Sequence, residues 1–256
     1  MTTEKPTFLI VHGAWHPPSC YQPLITTLSS SFPVKAITHP SLNPSDPQTA
    51  TCSADTDALR STLLSLLEAG KEVILLTHSY GGIPGHAAAH GLSKQTYVQA
   101  GKPGGVIGVI NMAAFIVPEG QSLLAGEENA AWIKEDDPSS GLCTVPFPIP
   151  VFYQDVPPET AVALSSSLLP HSILSFNSPS PAPAWKDPEF AGRLLYIRCM
   201  QDRAIPASMQ DLMIKDSGVE WVVRDIDAGH SPFLSRPEEL SDILKELAEI
   251  FGGTGI

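Results

Sequence analysis

The chain has 256 residues, which is enough for one α/β domain of ordinary size with a large apolar core. Its hydrophobic content of 43% and charged content of 16% favour a compact folded protein over a disordered one. The formal net charge of −12 disfavours nucleic acids and anionic membranes as partners, because both are negatively charged. The apolar run at residues 8–11 is too short for a signal peptide or a membrane span, so we expect a cytoplasmic protein.

Strands and helices are predicted to alternate along the chain. Strands are predicted at residues 8–11, 34–38, 73–76, 106–112, 193–199 and 220–226, and the apolar runs at 8–11, 73–76 and 106–112 are expected to be buried. Apolar periodicity predicts helices at residues 21–30, 54–69, 83–91, 206–215 and 237–251. Such alternation is typical of an α/β fold, with a mostly parallel central sheet and helices on both faces.

The segment from residue 118 to residue 192 differs from the rest of the chain. It holds 12 of the 25 prolines, and its predicted helices are short, at residues 126–134 and 158–169. Proline-interrupted helices form a poor core of their own but a suitable cover for a site. We therefore predict an α/β core at residues 1–117 and 193–256, with residues 118–192 inserted as a cap segment.

The stretch VILLTHSYGG, residues 73–82, predicts a strand, a sharp turn and a helix. A serine at such a turn has an exposed hydroxyl, and the helix that follows favours a developing negative charge. The usual pattern is G-x-S-x-G, and here Thr77 stands in place of the first glycine. Ser79 is therefore the candidate nucleophile, and the alternative is a serine in an ordinary strand-to-helix loop.

A serine nucleophile needs a base, and the base needs an acid that orients it. Asp202 and His230 each follow a predicted strand, as Ser79 does, and parallel strands end at one edge of the sheet. The order serine, acid, histidine is the one expected on an α/β-hydrolase sheet. We weighed other acids and bases and prefer Asp202 and His230 over these alternatives: Glu119, Asp225 and Asp227 as acids, and His12, His39, His78 and His171 as bases.

The remaining site residues are predicted from their positions in the chain. The loop after the first strand places the backbone N–H of Ala14 in the open, and Tyr80 begins the helix after Ser79. These two N–H groups are the candidate oxyanion hole. An apolar substrate pocket is expected to draw on aromatic residues and one cap histidine, although most aromatic residues in such a chain belong to the core. The candidates are Trp15, Phe115, Phe152, His171, Trp185 and Phe233.

Neither the cysteines nor the histidines form a metal-binding pattern. His86 and His90 lie four residues apart on a predicted helix, but no third ligand follows at a suitable spacing. We therefore expect neither a metal ion nor a cofactor. The cysteines have no paired spacing and are expected to be free, buried thiols. They are Cys20, Cys52, Cys143 and Cys199.

The chain resembles the α/β-hydrolase superfamily along nearly its whole length. The matching motifs are VHGAW at residues 11–15, HSYGG at 78–82, PEG at 118–120, DVPPE at 155–159, DRAIP at 202–206 and AGHSPF at 228–233. More narrowly, it is similar to a small esterase-like branch common in fungi and actinobacteria and related to plant methylesterases and hydroxynitrile lyases. The resemblance implies the fold and a Ser79–His230–Asp202 triad. The lyases are expected to carry a threonine at Gly13 and a lysine at Ser231, so cyanohydrin cleavage is not expected here.

These observations favour a serine hydrolase that acts on a small or medium carboxylic ester or lactone. One alternative uses the same triad for C–C bond cleavage, elimination or cyclisation in secondary metabolism, as in some members of the wider fold. A second alternative is a ligand-binding protein without catalysis, of the kind in which this fold serves as a hormone receptor. The expected partner is a small molecule, and a homodimer is one possible form of the protein.

Overall fold

The computed structural model describes residues 5–124, 132–135 and 137–253. Its strands are β1 (Thr7–Val11), β2 (Val34–Ala36), β3 (Glu72–His78), β4 (Gly105–Met112), β5 (Leu142–Cys143), β6 (His171–Ser172), β7 (Leu194–Cys199) and β8 (Val222–Ile226). Its helices are α1 (Gln22–Leu28), α2 (Cys52–Glu68), α3 (Gly82–Ala89), α4 (Lys94–Gln99), α5 (Pro148–Phe152), α6 (Pro158–Ser165), α7 (Ile173–Asn177), α8 (Ala207–Asp216), α9 (Pro232–Ser235) and α10 (Pro237–Gly253).

The main sheet has six parallel strands in the order β2-β1-β3-β4-β7-β8. The chain passes from β1 to β2 on one side and then crosses to β3 on the other side of β1. The ends of β1 and β3 therefore lie at the point where the strand order reverses, which is where open α/β sheets bind their ligands. The predicted α/β fold with a parallel sheet is confirmed.

Helices cover both faces of this sheet. Side chains of α1 and α10 pack against Phe8 and Ile10 of β1, and side chains of α2 and α3 pack against Leu9 and Val11. Since successive residues of a strand point to opposite faces, a strand buried on both sides must be apolar throughout. The continuous apolar runs of the sequence are the result.

The chain between β4 and β7 contains short elements that contact the core at several points. Strands β5 and β6 form a two-stranded antiparallel sheet. The N–H of Leu169 donates to the carbonyl of Trp15, and the N–H of Ser172 donates to that of Ser41. The boundaries predicted for the cap segment stay a prediction. Its helix predicted at residues 126–134 lies mostly outside the described residues.

Several element boundaries differ from the predicted ones for local reasons. The helix predicted at residues 158–169 ends at Ser165, because the hydroxyls of Ser165, Ser166 and Ser167 donate back to helix carbonyls and compete with its continuation. Helix α4 was not predicted, since it has six residues with a polar sequence. It is stabilised by the Ser93 side chain, which accepts a hydrogen bond from the N–H of Thr96.

All four cysteines are free thiols with buried side chains. Within the described ranges, no helix combines the length and the apolar character needed to cross a membrane.

Candidate active site

Ser79 lies at a strained turn directly after β3. Its φ of 52° is left-handed, a conformation that costs a residue with a side chain about 1–2 kcal/mol. The loop after β4 holds the turn on both sides: the N–H of Ser79 donates to the carbonyl of Ala113, and the N–H of Phe115 donates to that of Ser79. A 3-10 turn over Ser79–Gly81 then leads into α3. The structure thus has the strand–turn–helix geometry expected around a nucleophile.

The glycines after Ser79 allow close backbone contacts. A Cβ atom on Gly81 would lie 2.4 Å from the carbonyl oxygen of Val11, and one on Gly82 would lie 2.4 Å from that of Phe115. Any side chain at these positions would push the turn away from the ends of β1 and β4. The two glycines therefore keep Ser79 at the edge of the sheet where the strand order reverses.

Thr77 is accommodated by a glycine on the facing helix. A Cβ atom on Gly85 of α3 would lie 2.5 Å from Cγ2 of Thr77, so the methyl group occupies the space that a side chain at residue 85 would need. The Thr77 hydroxyl donates to the side-chain oxygen of Asn111, 2.7 Å away. The departure from the usual glycine is thus compensated within the neighbouring elements.

His230 and Asp202 form a buried pair. Nδ1 of His230 lies 2.8 Å from Oδ2 of Asp202, and both side chains are buried. The other carboxylate oxygen accepts from the N–H groups of Ala204 and Ile205, at 2.8 and 2.9 Å. Since the carboxylate accepts the Nδ1 proton, Nε2 of the neutral ring is left as an acceptor. A histidine held in this tautomer can remove a proton from a nearby hydroxyl.

The alternative acids Asp225, Asp227 and Glu119 are not hydrogen-bonded to His230. Asp225 pairs with Arg198, and the carboxylate of Asp227 accepts from the side chain of Gln201. Glu119 is exposed. Among these acids, Asp202 is the one hydrogen-bonded to His230.

His78 connects the His230 ring to the turn that carries Ser79. The two ring centroids are 4.6 Å apart, and Nε2 of His78 donates to the backbone carbonyl of His230 over 2.9 Å. His78 immediately precedes Ser79, so this ring contact and hydrogen bond bring Ser79 and His230 into the same neighbourhood. No hydrogen bond between described residues joins the Ser79 hydroxyl to the His230 ring.

A tyrosine fixes the tautomer of His78. The hydroxyl of Tyr21 accepts from the N–H of Gly13 at 3.0 Å and lies 2.7 Å from Nδ1 of His78, to which it donates. Nε2 of His78 therefore carries the proton that bonds the His230 carbonyl. Burial, together with the nearby His230 ring, lowers the pKa of His78 well below its usual value, which keeps the ring neutral.

The predicted oxyanion donors are the backbone N–H groups of Ala14 and Tyr80. Tyr21 uses the N–H of Gly13, whereas within the described residues the N–H of Ala14 has no hydrogen-bond acceptor. Tyr80 is the second residue of its 3-10 turn, where an N–H has no acceptor inside the helix. Both residues line the same cavity as Ser79. The oxyanion hole formed by these two N–H groups stays a prediction.

A cavity of about 780 Å³ opens at Ser79, a volume in the upper part of the range for small-molecule sites. Three of the six predicted pocket residues line it, namely Trp15, Phe115 and Trp185. Its other walls come from the loop after β4, the cap segment and α8. They include Leu123, Leu124, Trp132, Ile133, Phe176, Ile205 and Met209.

The other three predicted pocket residues do not belong to the cavity lining. Phe233 is stacked on Tyr21 with ring centroids 4.1 Å apart, so its ring packs against a residue that is hydrogen-bonded to His78. Phe152 packs against the His230 ring at 5.3 Å. His171 is buried, stacked on Phe176 at 4.9 Å, and bonded to Ser175. Their rings are used in packing, and we leave them out of the proposed pocket.

Comparisons with known proteins identify the family of this chain. The sequence profile of the alpha/beta hydrolase family matches residues 8–243. The chain belongs to this family. Alpha/beta hydrolase nvfD from Aspergillus novofumigatus (strain IBT 16806) is 30% identical over 251 residues, which cover 95% of this chain and 97% of the relative. The resemblance seen in the sequence motifs is thereby confirmed.

Two further proteins are similar to this chain. Methylesterase 18 from Arabidopsis thaliana is 25% identical over 264 residues, which cover 94% of this chain and 96% of the relative. The crystal structure of a pyrethroid hydrolase from Sphingobium faniae JZ-2 has a TM-score of 0.72 at 22% identity, covering 96% of this chain and 98% of that chain. At this identity, the second likeness concerns the fold.

This alpha/beta hydrolase also has a buried carboxylate that the sequence analysis did not identify. Oδ2 of Asp55 accepts from the hydroxyl of Tyr80 at 2.6 Å and from that of Ser41 at 2.5 Å. Burial, with the charge of Asp55, raises the pKa of Tyr80 well above its usual value. A signal was present in the sequence: Asp55 lies four and eight residues before Leu59 and Leu63, on the apolar face of α2. An acid on such a face indicates a buried partner.

A second residue that the sequence analysis left without a role ties the cap segment to the loop that carries His230. Oδ2 of Asp155 accepts from the N–H of Gly229 at 2.7 Å. A Cβ atom on Gly229 would lie 2.3 Å from the side-chain nitrogen of Gln154, so the contact depends on a glycine at that position. The motif around Asp155 is thus hydrogen-bonded to the motif that contains His230.

The remaining histidines have packing partners. Nε2 of His12 accepts from the N–H of His39, in keeping with a turn histidine whose role is structural. His86 bonds the side chain of Asn111, while His90 pairs with Asp187. The described residues contain no cluster of His, Cys, Asp or Glu side chains that could hold a metal ion.

Proposed function

We propose that the protein is a serine hydrolase that cleaves a carboxylic ester or lactone with Ser79 as nucleophile, His230 as base and Asp202 as the acid that orients it. The observation that carries the proposal is the buried His230–Asp202 pair beside a serine in a strained turn. A hydroxyl is a weak nucleophile, and a neighbouring imidazole held in the correct tautomer activates it.

The proposed reaction has two steps. Nε2 of His230 accepts the hydroxyl proton of Ser79 as Oγ attacks the ester carbonyl, and the N–H groups of Ala14 and Tyr80 stabilise the oxyanion. His230 then donates the proton to the leaving alcohol oxygen, which produces an acyl-serine. Water, activated by His230, hydrolyses this intermediate and releases the acid. Hydrogen bonds between nucleophile and base commonly tighten only when substrate is bound.

The names of the relatives support ester hydrolysis. One full-length relative is named an alpha/beta hydrolase and another a methylesterase. The cavity at Ser79, lined mainly by apolar side chains, suits an uncharged organic ester. The proposed partner is therefore a small-molecule ester or lactone.

The proposal predicts that Ser79→Ala lowers kcat for p-nitrophenyl acetate by about 10⁴-fold or more. The thermal midpoint should stay within about 2 °C, because alanine bears the same left-handed backbone cost as serine. Turnover is measured by nitrophenolate release, and mass spectrometry of the free acid separates hydrolysis from C–C cleavage, elimination or cyclisation.

A fluorophosphonate probe tests the nucleophile independently of the substrate. The native chain should be labelled at Ser79, as located by peptide mass spectrometry, and Ser79→Ala should not be labelled. Retained turnover in Ser79→Ala, or labelling at another serine, would show that the nucleophile is wrongly assigned. A ligand-binding protein without catalysis would give neither turnover nor labelling.

A further inference from the structure

The cavity at Ser79 continues along α8. Met209, Leu212, Met213 and Asp216 line it, together with Ile205 and Pro206, which precede the helix. Residues spaced by three and four along a helix lie on one face, so α8 presents one continuous face to the cavity. That face is apolar up to Asp216, where the helix ends.

Helix α8 is anchored to the loop that carries Asp202. The buried side chain of Gln210 accepts from the N–H of Cys199 at 3.1 Å and donates to the carbonyl of Ile205 at 2.7 Å. The N–H of Ile205 in turn donates to Asp202. One end of the helix is therefore fixed beside the acid of the site. The lining residues from Met209 to Asp216 span about 10 Å along the helix axis, which sets the length of this arm of the cavity.

The apolar side chains of this arm are partly open to water. Met209 and Leu212 are 46% and 47% exposed, although both line the cavity. The loop after β4 contributes Ile116 and Val117 to the same cavity, and Trp185 also lines it. Large apolar side chains around a cavity of this size are a feature of sites that bind apolar ligands.

We propose that this arm, the α8 subsite, binds an extended apolar group of the substrate, of about octanoyl length. It is defined by Ile116, Val117, Trp185, Met209, Leu212 and Met213. The inference rests on the proposed ester hydrolysis and names its substrate class: esters with one long apolar group. The observation specific to it is the continuity of an apolar helix face with the cavity that contains Ser79.

The first test compares short and long esters on the native protein. kcat/KM should be at least about tenfold higher for p-nitrophenyl octanoate than for p-nitrophenyl acetate if the acyl group occupies the subsite. If the alcohol group occupies it, the same preference should appear for octyl acetate over ethyl acetate. Absence of both preferences would overturn the α8 subsite, whereas absence of any ester hydrolysis would overturn the proposed function instead.

The second test removes the apolar face without changing the helix propensity. Met209→Gln combined with Leu212→Gln should lower the long-to-short ratio of kcat/KM by about tenfold, because the apolar group then meets amide groups. Val98→Gln is the matched control, since Val98 is a 50% exposed helical residue outside the cavity lining. It should leave the ratio unchanged. An unchanged ratio in the double variant, with its thermal midpoint retained, would overturn the proposal.

Discussion

At the scale of single residues, a polar chain of hydrogen bonds runs from Gly13 through Tyr21 and His78 to the backbone of His230. It connects the loop that carries one proposed oxyanion donor to the backbone of the proposed base. Each group in it has one available role, because Tyr21 can donate only one proton and His78 is neutral. This polar chain therefore positions the loop at Gly13 relative to the backbone of His230.

Tyr21→Phe should lower kcat about 10- to 100-fold with little change in KM. The variant keeps the ring stacked on Phe233 but removes the hydroxyl that Gly13 and His78 share. A one-ångström misplacement of catalytic groups has effects of this size. Steady-state kinetics on p-nitrophenyl acetate measures the outcome.

Ser93→Ala is the control for the loss of a buried hydroxyl. The Ser93 side chain accepts from the N–H of Thr96 at the start of α4 and is not part of the Tyr21–His78 chain. It should cost a similar free energy of unfolding, about 1–2 kcal/mol, without the same loss of kcat. An equal loss of kcat in both variants would mean that Tyr21 acts through stability alone.

At the scale of elements, β3 and α3 fit together because the larger residue of the motif, Thr77 on β3, faces a glycine, Gly85 on α3. The motif has Thr77 where a glycine is usual, and the missing space is supplied by Gly85 one helical turn into α3. The hydroxyl of Thr77 is satisfied by Asn111 of β4. The turn at Ser79 therefore tolerates a threonine at residue 77 as long as residue 85 of the facing helix is a glycine.

This pairing predicts non-additive stability changes. Gly85→Ala should lower the free energy of unfolding by about 1–3 kcal/mol, because the new methyl group overlaps Cγ2 of Thr77. In a Thr77→Ser background, which removes Cγ2 and keeps the hydroxyl, the same change should be neutral or stabilising. A double-mutant cycle from urea unfolding measures the coupling, and equal costs in both backgrounds would contradict it.

At the scale of the whole molecule, the protein buries many neutral histidines. Burial is the largest cause that lowers the pKa of these side chains, to about 4 for His16 and His86. The others with a lowered pKa are His12, His39, His78 and His171. In the unfolded chain a histidine has a pKa of about 6.5. Below that pH the unfolded state therefore binds more protons than the folded state.

The free energy of unfolding should therefore fall as pH drops from about 6.5 towards 4. Each of these histidines contributes up to about 1.4 kcal/mol per pH unit in that window. Urea unfolding at pH 7.5, 6.5 and 5.5 measures the slope. His86→Gln should make it shallower, because it removes one buried histidine whose pKa is lowered to about 4. A flat profile from pH 6.5 to 5.5 would contradict the prediction.

The sequence by itself determined the fold and the positions of the three proposed catalytic residues. Ser79, Asp202 and His230 each follow an apolar run, and parallel strands bring the carboxyl ends of such runs to one edge of the sheet. The bond between His230 and Asp202 is consistent with that arrangement. Periodicity and chain order are local properties, so they can be read without knowing which side chains face each other.

Only the tertiary structure decided which side chains surround the site. Phe152 packs against His230 and Phe233 against His78, while Met209 on α8 lines the cavity. The tertiary structure also joined Tyr21 to His78, 57 residues away in the chain. Aromatic and polar side chains suit both packing and ligand contact, and long-range packing sets the direction in which each one points. No local pattern carries that information.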